Sequence, residues 1–114
     1  MSRVKRGTTK NKSRKNTLAQ VKGYRFGRST KKSMATEAIA HAGANAFAHR
    51  RDKKSNFRRL WNVKINAEVR KYELSYSKFI DMLNKKDIKI NRKMLADLAE
   101  NNPESFKRVI DAAK

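Results

Sequence analysis

The spacing of apolar residues changes along the chain, and each change marks a different kind of element. Phe57, Trp61, Ile65, Val69 and Tyr72 recur at four- and three-residue intervals, which builds one apolar stripe along a helix. Upstream, seven alanines fall between Ala35 and Ala48 without a proline, and alanine is the strongest helix former. A continuous helix is therefore predicted over residues 31–72. At ~1.5 Å per residue some forty residues of helix would be ~60 Å long, too long for a small globule to wrap, so its first part should project. Downstream the pattern predicts three short helices. Ser75 can cap the first, with Tyr76, Phe79, Ile80 and Leu83 as its apolar face. Asn91 can cap the second, which carries Met94, Leu95 and Leu98. Asn102, Pro103 and Glu104 open the third, whose face is Phe106, Val109, Ile110 and Ala113; a proline at the first helical position costs no hydrogen bond. Between the first two, Ile88 and Ile90 alternate as in a brief extended strand.

The first 33 residues break with this picture. Beyond Met1, apolar side chains occur there only at Val4, Leu18, Ala19, Val21, Tyr24 and Phe26, too few to offset the entropy of ordering the backbone. Gly7 and the pair Gly23/Gly27 interrupt any amphipathic helix, so the segment is expected to be mobile when free. An acid-poor start containing Ser and Arg also suits a transit peptide, the weaker of the two readings because no boundary to a mature protein follows. The expected architecture is all-α. A basic extension over residues 1–56, a mobile start and then the long helix, projects from a small helical domain over residues 57–114. That domain exceeds the ~40 residues below which a lone fold usually needs crosslinks.

Charge gives the division a purpose. The 114 residues carry 30 Lys and Arg against 10 Asp and Glu, a net of +20. Residues 1–72 hold 21 cations and only Glu37, Asp52 and Glu68, whereas residues 73–114 hold nine against seven. Self-repulsion on this scale calls for a polyanionic partner. Arg50/Lys54 and Lys54/Arg58 are like-charged pairs four apart, which destabilise an isolated helix, so folding of that stretch is expected to be coupled to binding. Zero cysteines exclude disulfides and thiolate metal sites. No apolar run approaches the ~18 residues of a membrane span.

Catalysis has little to stand on. His41 and His49 lie eight apart with no acid pair beside them, and Asp81, Asp87 and Asp97 are dispersed among lysines; paired acid–base chemistry has no scaffold. No cofactor, metal or small-molecule substrate is expected. Nucleic acid fits better. In Lys22-Gly23-Tyr24-Arg25-Phe26-Gly27-Arg28 cations alternate with rings; guanidinium groups grip phosphates and rings stack on exposed bases. A second run spans Arg50, Arg51, Lys53, Lys54, Arg58 and Arg59, against Asp52 alone. Phe57 and Trp61 within it are assigned to the core that the last helices need. The candidate RNA-binding set is Arg3, Lys5, Arg6, Lys10, Lys12, Arg14, Lys15, Lys22, Tyr24, Arg25, Phe26, Arg28, Lys31, Lys32, that second run, and Lys64. A DNA-compacting protein is the rival from another class. A membrane-active peptide needs a clean apolar helix face, which residues 1–33 lack.

These segments also carry a resemblance. Arg3-Val4-Lys5-Arg6-Gly7, Lys22-Gly23-Tyr24, Arg50-Arg51 and Phe57-Arg58-Arg59-Leu60-Trp61 resemble the bacterial-type large-subunit ribosomal protein number twenty. So do Ile65-Asn66-Ala67, Ser75-Tyr76-Ser77-Lys78-Phe79-Ile80 and Asn91-Arg92-Lys93-Met94-Leu95-Ala96-Asp97-Leu98-Ala99. The order is kept from residue 3 to the end, which argues against a cleaved presequence. Ala48-His49 stands where the family usually has Arg and Asp, Asn62 replaces an aliphatic residue, Lys64 an Arg, and Asp87 a common glycine. The resemblance implies a structural component of the large subunit that binds 23S ribosomal RNA and acts early in assembly, outside the peptidyl-transfer chemistry. It places the chain in a bacterial ribosome in the cytoplasm or in an organellar one. Its implied protein neighbours are large-subunit proteins thirteen and twenty-one, and some members bind their own messenger RNA.

Overall fold

The computed structural model describes residues 2–114, and its elements are helices throughout: α1 Gly7–Ala19, α2 Lys32–Arg70, α3 Tyr76–Lys85, α4 Arg92–Asn101 and α5 Pro103–Ala113. No strand occurs among the described residues. The expected all-α class and the long helix hold, α2 running unbroken for 39 residues. Contacts divide the chain into two compact units, Met1–Arg50 and Arg51–Lys114, and α2 contributes to both.

The second unit is built on an ordinary core. Ile65, Val69, Phe79, Leu83, Leu95, Phe106 and Ile110 are buried, and Ala96, Ala99 and Ala113 let the helices approach closely. α5 packs on α3 and on α4, and the Phe79 and Phe106 rings meet with centroids 5.5 Å apart in a tilted pair, a favoured aromatic arrangement. Two of the three expected caps form through side chains. Ser75 accepts from the Lys78 N–H at 3.4 Å and Asn91 from the Met94 N–H at 2.8 Å. Asn102 makes no side-chain cap, and the Pro103 start serves instead.

Two helices of this unit close in the same way. After α2, Leu74 N–H donates to the Val69 carbonyl (3.2 Å) and Glu73 N–H to that of Arg70 (3.1 Å). After α3, Ile88 N–H donates to the Leu83 carbonyl (2.9 Å) and Asp87 N–H to that of Asn84 (3.1 Å). This double closure satisfies carbonyls that the helix end would otherwise orphan, and it needs a left-handed residue, usually glycine. Here Glu73 and Asp87 fill that place, at φ +59° and +54°. The expected strand at Ile88 and Ile90 is thereby corrected. Ile88 spends its N–H on the helix it follows, and both side chains tuck against the core as half-buried neighbours.

The first unit contains a helix that the sequence did not announce. Residues 7–19, expected to be mobile when free, are helical, with Gly7 as the first helical residue. α1 buries no residue and has no side-chain cap. Among the described residues of this unit only Val21 and Ala35 are buried. Polar ties do the rest: Arg14 Nη2 donates to the Thr30 carbonyl and Lys32 Nζ to Ser13 Oγ, each at 3.0 Å. A helix of 13 residues without an apolar face is marginal in water, so the shortage of core read from the sequence persists even though the backbone is helical.

Candidate nucleic-acid interface

The candidate cations of the first unit fall on three backbone types. Arg3, Lys5 and Arg6 precede α1; Lys10, Lys12, Arg14 and Lys15 stand around it; Lys22, Arg25, Arg28 and Lys31 belong to the turn that leads to α2, which Lys32 begins. Because α1 has no buried side, its cations point to several directions at once and not to one face. The turn between α1 and α2 is tight. Tyr24 N–H donates to the Val21 carbonyl and Lys31 N–H to that of Gly27, at 3.1 and 3.0 Å. Gly23, Phe26 and Gly27 all have positive φ. Val21 is fully buried beneath this turn, whereas Phe26 is exposed and Tyr24 partly so.

On α2, Arg50 lies in the first unit and Arg51, Lys53, Lys54, Arg58 and Arg59 in the second, all exposed. At 3.6 residues per turn, Arg50, Lys54 and Arg58 form one row and Arg51 and Arg59 belong to the row beside it. Among the described residues, Lys64 alone of the nineteen candidate cations is paired with an acid: its Nζ meets Glu100. The remaining candidates are open to a phosphate partner.

The aromatic assignment is corrected in part. Phe57 is 44% exposed and Leu60 also open, so the core does not extend as far up α2 as the stripe implied. Trp61 is half-buried against the core, and its ring lies 6.2 Å from that of Phe57. Lys53 Nζ sits 5.9 Å from the Phe57 centroid, at the edge of cation–π range. This ledge leads to a cleft of about 520 Å³ lined by Trp61, Lys64, Lys93, Met94 and Glu100 among others.

One polar link was not read from the sequence. Tyr76 Oη donates to Asn62 Oδ1 at 2.8 Å, and Arg92 Nε donates to Tyr76 Oη at 3.0 Å, joining α2, α3 and α4. No periodic signal announces such a link; the one clue is the polar Asn62 at a position where the resemblance expects an aliphatic residue. His41 pairs with Glu37 on an exposed face at 3.6 Å. Among the described residues no cluster of three His, Asp or Glu side chains is placed to hold a metal. No described helix is long and apolar enough to cross a membrane.

Comparison with known proteins agrees with the resemblance. The family model "Ribosomal protein L20" matches residues 3–109. The large ribosomal subunit protein bL20 of Chloroflexus aurantiacus is 46% identical over 114 residues, all of this chain and 96% of that protein. The corresponding proteins of Gloeobacter violaceus and Acaryochloris marina are 48% and 45% identical, covering 100% and 99% of this chain and 96% and 97% of their own. The chain belongs to the ribosomal protein L20 family.

Proposed function

We propose that the chain is a structural, non-enzymatic constituent of the large ribosomal subunit that binds 23S ribosomal RNA directly and supports early assembly of that subunit. The observation that carries this reading is the set of eighteen candidate cations, from Arg3 to Arg59, without an acid partner among the described residues. Unpaired cations at this density leave the chain incomplete by itself. Phosphates supply the missing charge, and screening by the cations lets RNA helices approach one another. The functional boundary falls at residues 56/57. Upstream residues bind and order on RNA; those downstream fold around their own core and present Arg58, Arg59 and Lys64 from it. Protein neighbours of the same subunit, numbers thirteen and twenty-one, and the chain's own messenger RNA complete the proposed partners.

The two sets of cations act differently. Arg3, Lys5 and Arg6 lie outside any helix, so their contacts are to phosphate and carry little information about RNA shape. Arg58 and Arg59 sit one turn from Trp61, which is packed on the core, and fixed guanidinium groups recognise a particular arrangement of phosphates. The full chain is titrated with 23S ribosomal RNA and with an unrelated structured RNA across a salt series, in excess duplex DNA. Retained binding to the ribosomal RNA is expected; loss to the DNA competitor favours the DNA-compacting reading. Lys5→Ala should flatten the slope of log affinity against log salt by under ~1, the duplex-DNA value being about 0.9 per phosphate contact. Arg58→Ala should reduce the preference for ribosomal RNA. The division of labour fails if Lys5→Ala lowers specificity while Arg58→Ala weakens both RNAs equally.

A further inference from the structure

Phe26 combines two unfavourable features in one residue. Its φ is +60°, in the left-handed region that a bulky L-residue rarely adopts. Its ring is 83% exposed, so the conformation brings it no burial. Among the described residues the ring pairs with no other aromatic side chain. The strain comes from the turn: Phe26 and Gly27 are the two central residues of a four-residue turn that the Arg28 N–H closes onto the Arg25 carbonyl at 3.4 Å, and both have positive φ. A glycine or asparagine would fill the first of these places at less cost, so the turn explains the backbone and not the ring. Strain and exposure held at one position by a tight turn are a reason to look for a partner that the free chain lacks.

The surroundings favour one kind of partner. Lys22, Arg25 and Arg28 stand within four residues of Phe26, and no acid precedes Glu37. A planar ring among unpaired cations matches a base with its phosphates better than an apolar pocket in a protein. Bases inside a continuous A-form helix are stacked on both faces and lie behind a deep, narrow groove, whereas unpaired nucleotides offer a free face. We propose that the Gly23–Gly27 turn presents Phe26 as a stacking wedge for an unpaired base at a bulge or internal loop. The wedge rests on the RNA-binding reading above and adds to it a class of target. Stacking is tolerant of base identity because every base has a π-face. The turn therefore selects an interrupted helix over a continuous one, and not a sequence.

The test uses the full chain and two RNA hairpins of equal length, one with a fully paired stem and one with a single bulged 2-aminopurine. 23S ribosomal RNA serves as the positive control. Phe26→Gly removes the ring and keeps a residue that accepts positive φ; Phe26→Tyr keeps the ring. Wild type should prefer the bulged hairpin by about 5- to 150-fold, the range that stacking of one base provides. Phe26→Gly should abolish that preference, together with the 2-aminopurine fluorescence change on binding, and Phe26→Tyr should retain both. Equal binding of the two hairpins by wild type, or an unaltered preference in Phe26→Gly, overturns the wedge and leaves the ring to a protein neighbour. Those results with 23S RNA binding intact refute the wedge alone. Failure of wild type to bind 23S RNA refutes the RNA-binding reading itself.

Discussion

The two units share a helical backbone and almost nothing else. Residues 1–50 carry thirteen Lys and Arg against Glu37 alone, a net of +12, and among the described residues bury only Val21 and Ala35. Residues 51–114 carry seventeen against nine, a net of +8, and bury ten side chains in one cluster. In the second unit, helices exist because their apolar faces need covering. In the first, α1 has no such face and is tied by Arg14 to Thr30 and by Lys32 to Ser13. Helical geometry alone thus says little about what stabilises a segment. One unit carries its stabilising partners within the chain, and the other has few of them.

Amide exchange of the free chain puts this contrast most directly. Amides of α1 should exchange almost as fast as an open chain, and those of Ile65, Phe79 and Ile110 about 10²- to 10⁴-fold more slowly, the protection that the ~3–5 kcal/mol of a small core confers. Equal protection of α1 and α3 would remove the distinction. Saturating 23S RNA should slow exchange in α1 and leave the α3–α5 core little changed.

Core substitutions are the next largest effect. Phe106→Ala removes a ring fully buried against Phe79 and should cost ~3–5 kcal/mol, as much as the small core confers, so the second unit should lose its cooperative urea transition. Trp61→Ala should cost less, about 2 kcal/mol, since only part of the side chain leaves water. Urea unfolding of the full chain, followed by helicity, ranks the two. A larger loss at Trp61 than at Phe106 would mean that the core extends further up α2 than its burial indicates.

A smaller effect of opposite sign is expected at the closure of α3. Asp87→Gly relieves the left-handed strain at φ +54° and should stabilise the second unit by ~0.5–1 kcal/mol after the added entropy of the unfolded glycine. Unchanged or lower thermal stability would show that the Asp87 side chain offsets its own backbone cost.

Smallest of all is the pH response of Lys71. The hydrogen bond and charge of buried Glu68 hold its ammonium above the usual lysine range. Because the folded pKa is raised, the contribution is complete below the ordinary lysine value of ~10.4 and is lost as pH rises through the raised one. Glu68→Gln should lower thermal stability slightly near neutrality, where the contribution is complete, and flatten the profile in that alkaline window, where the wild type loses it.

Legibility in the sequence followed the same division. Ser75, Asn91 and Pro103 marked the starts of α3–α5 because capping chemistry is local. The core from Ile65 onward followed from periodicity. The same periodicity overreached at Phe57, since a stripe does not reveal where the opposing helices end. α1 gave no signal because nothing apolar recurs in it, and Gly7 was read as a breaker although it stands at the helix start. Ile88 and Ile90 imitated a strand, but the Ile88 N–H closes α3. Asp87 in place of a common glycine marked the left-handed position without fixing its geometry. The cationic set was visible from composition alone; the Asn62–Tyr76–Arg92 link was not, because it depends on three helices meeting.

The open apolar row on α2, Phe57, Leu60 and Val63, governs how the chain behaves in a tube before it meets RNA. At low ionic strength a charge of +20 keeps copies apart but gathers any stray nucleic acid. Raising salt to strip that nucleic acid shortens the reach of repulsion to ~3 Å at 1 M, and the apolar rows of two copies can then touch. Solubility is therefore limited from both ends, by contamination in dilute buffer and by self-association in strong salt. Between them lies a window that Leu60→Gln or Val63→Gln should widen.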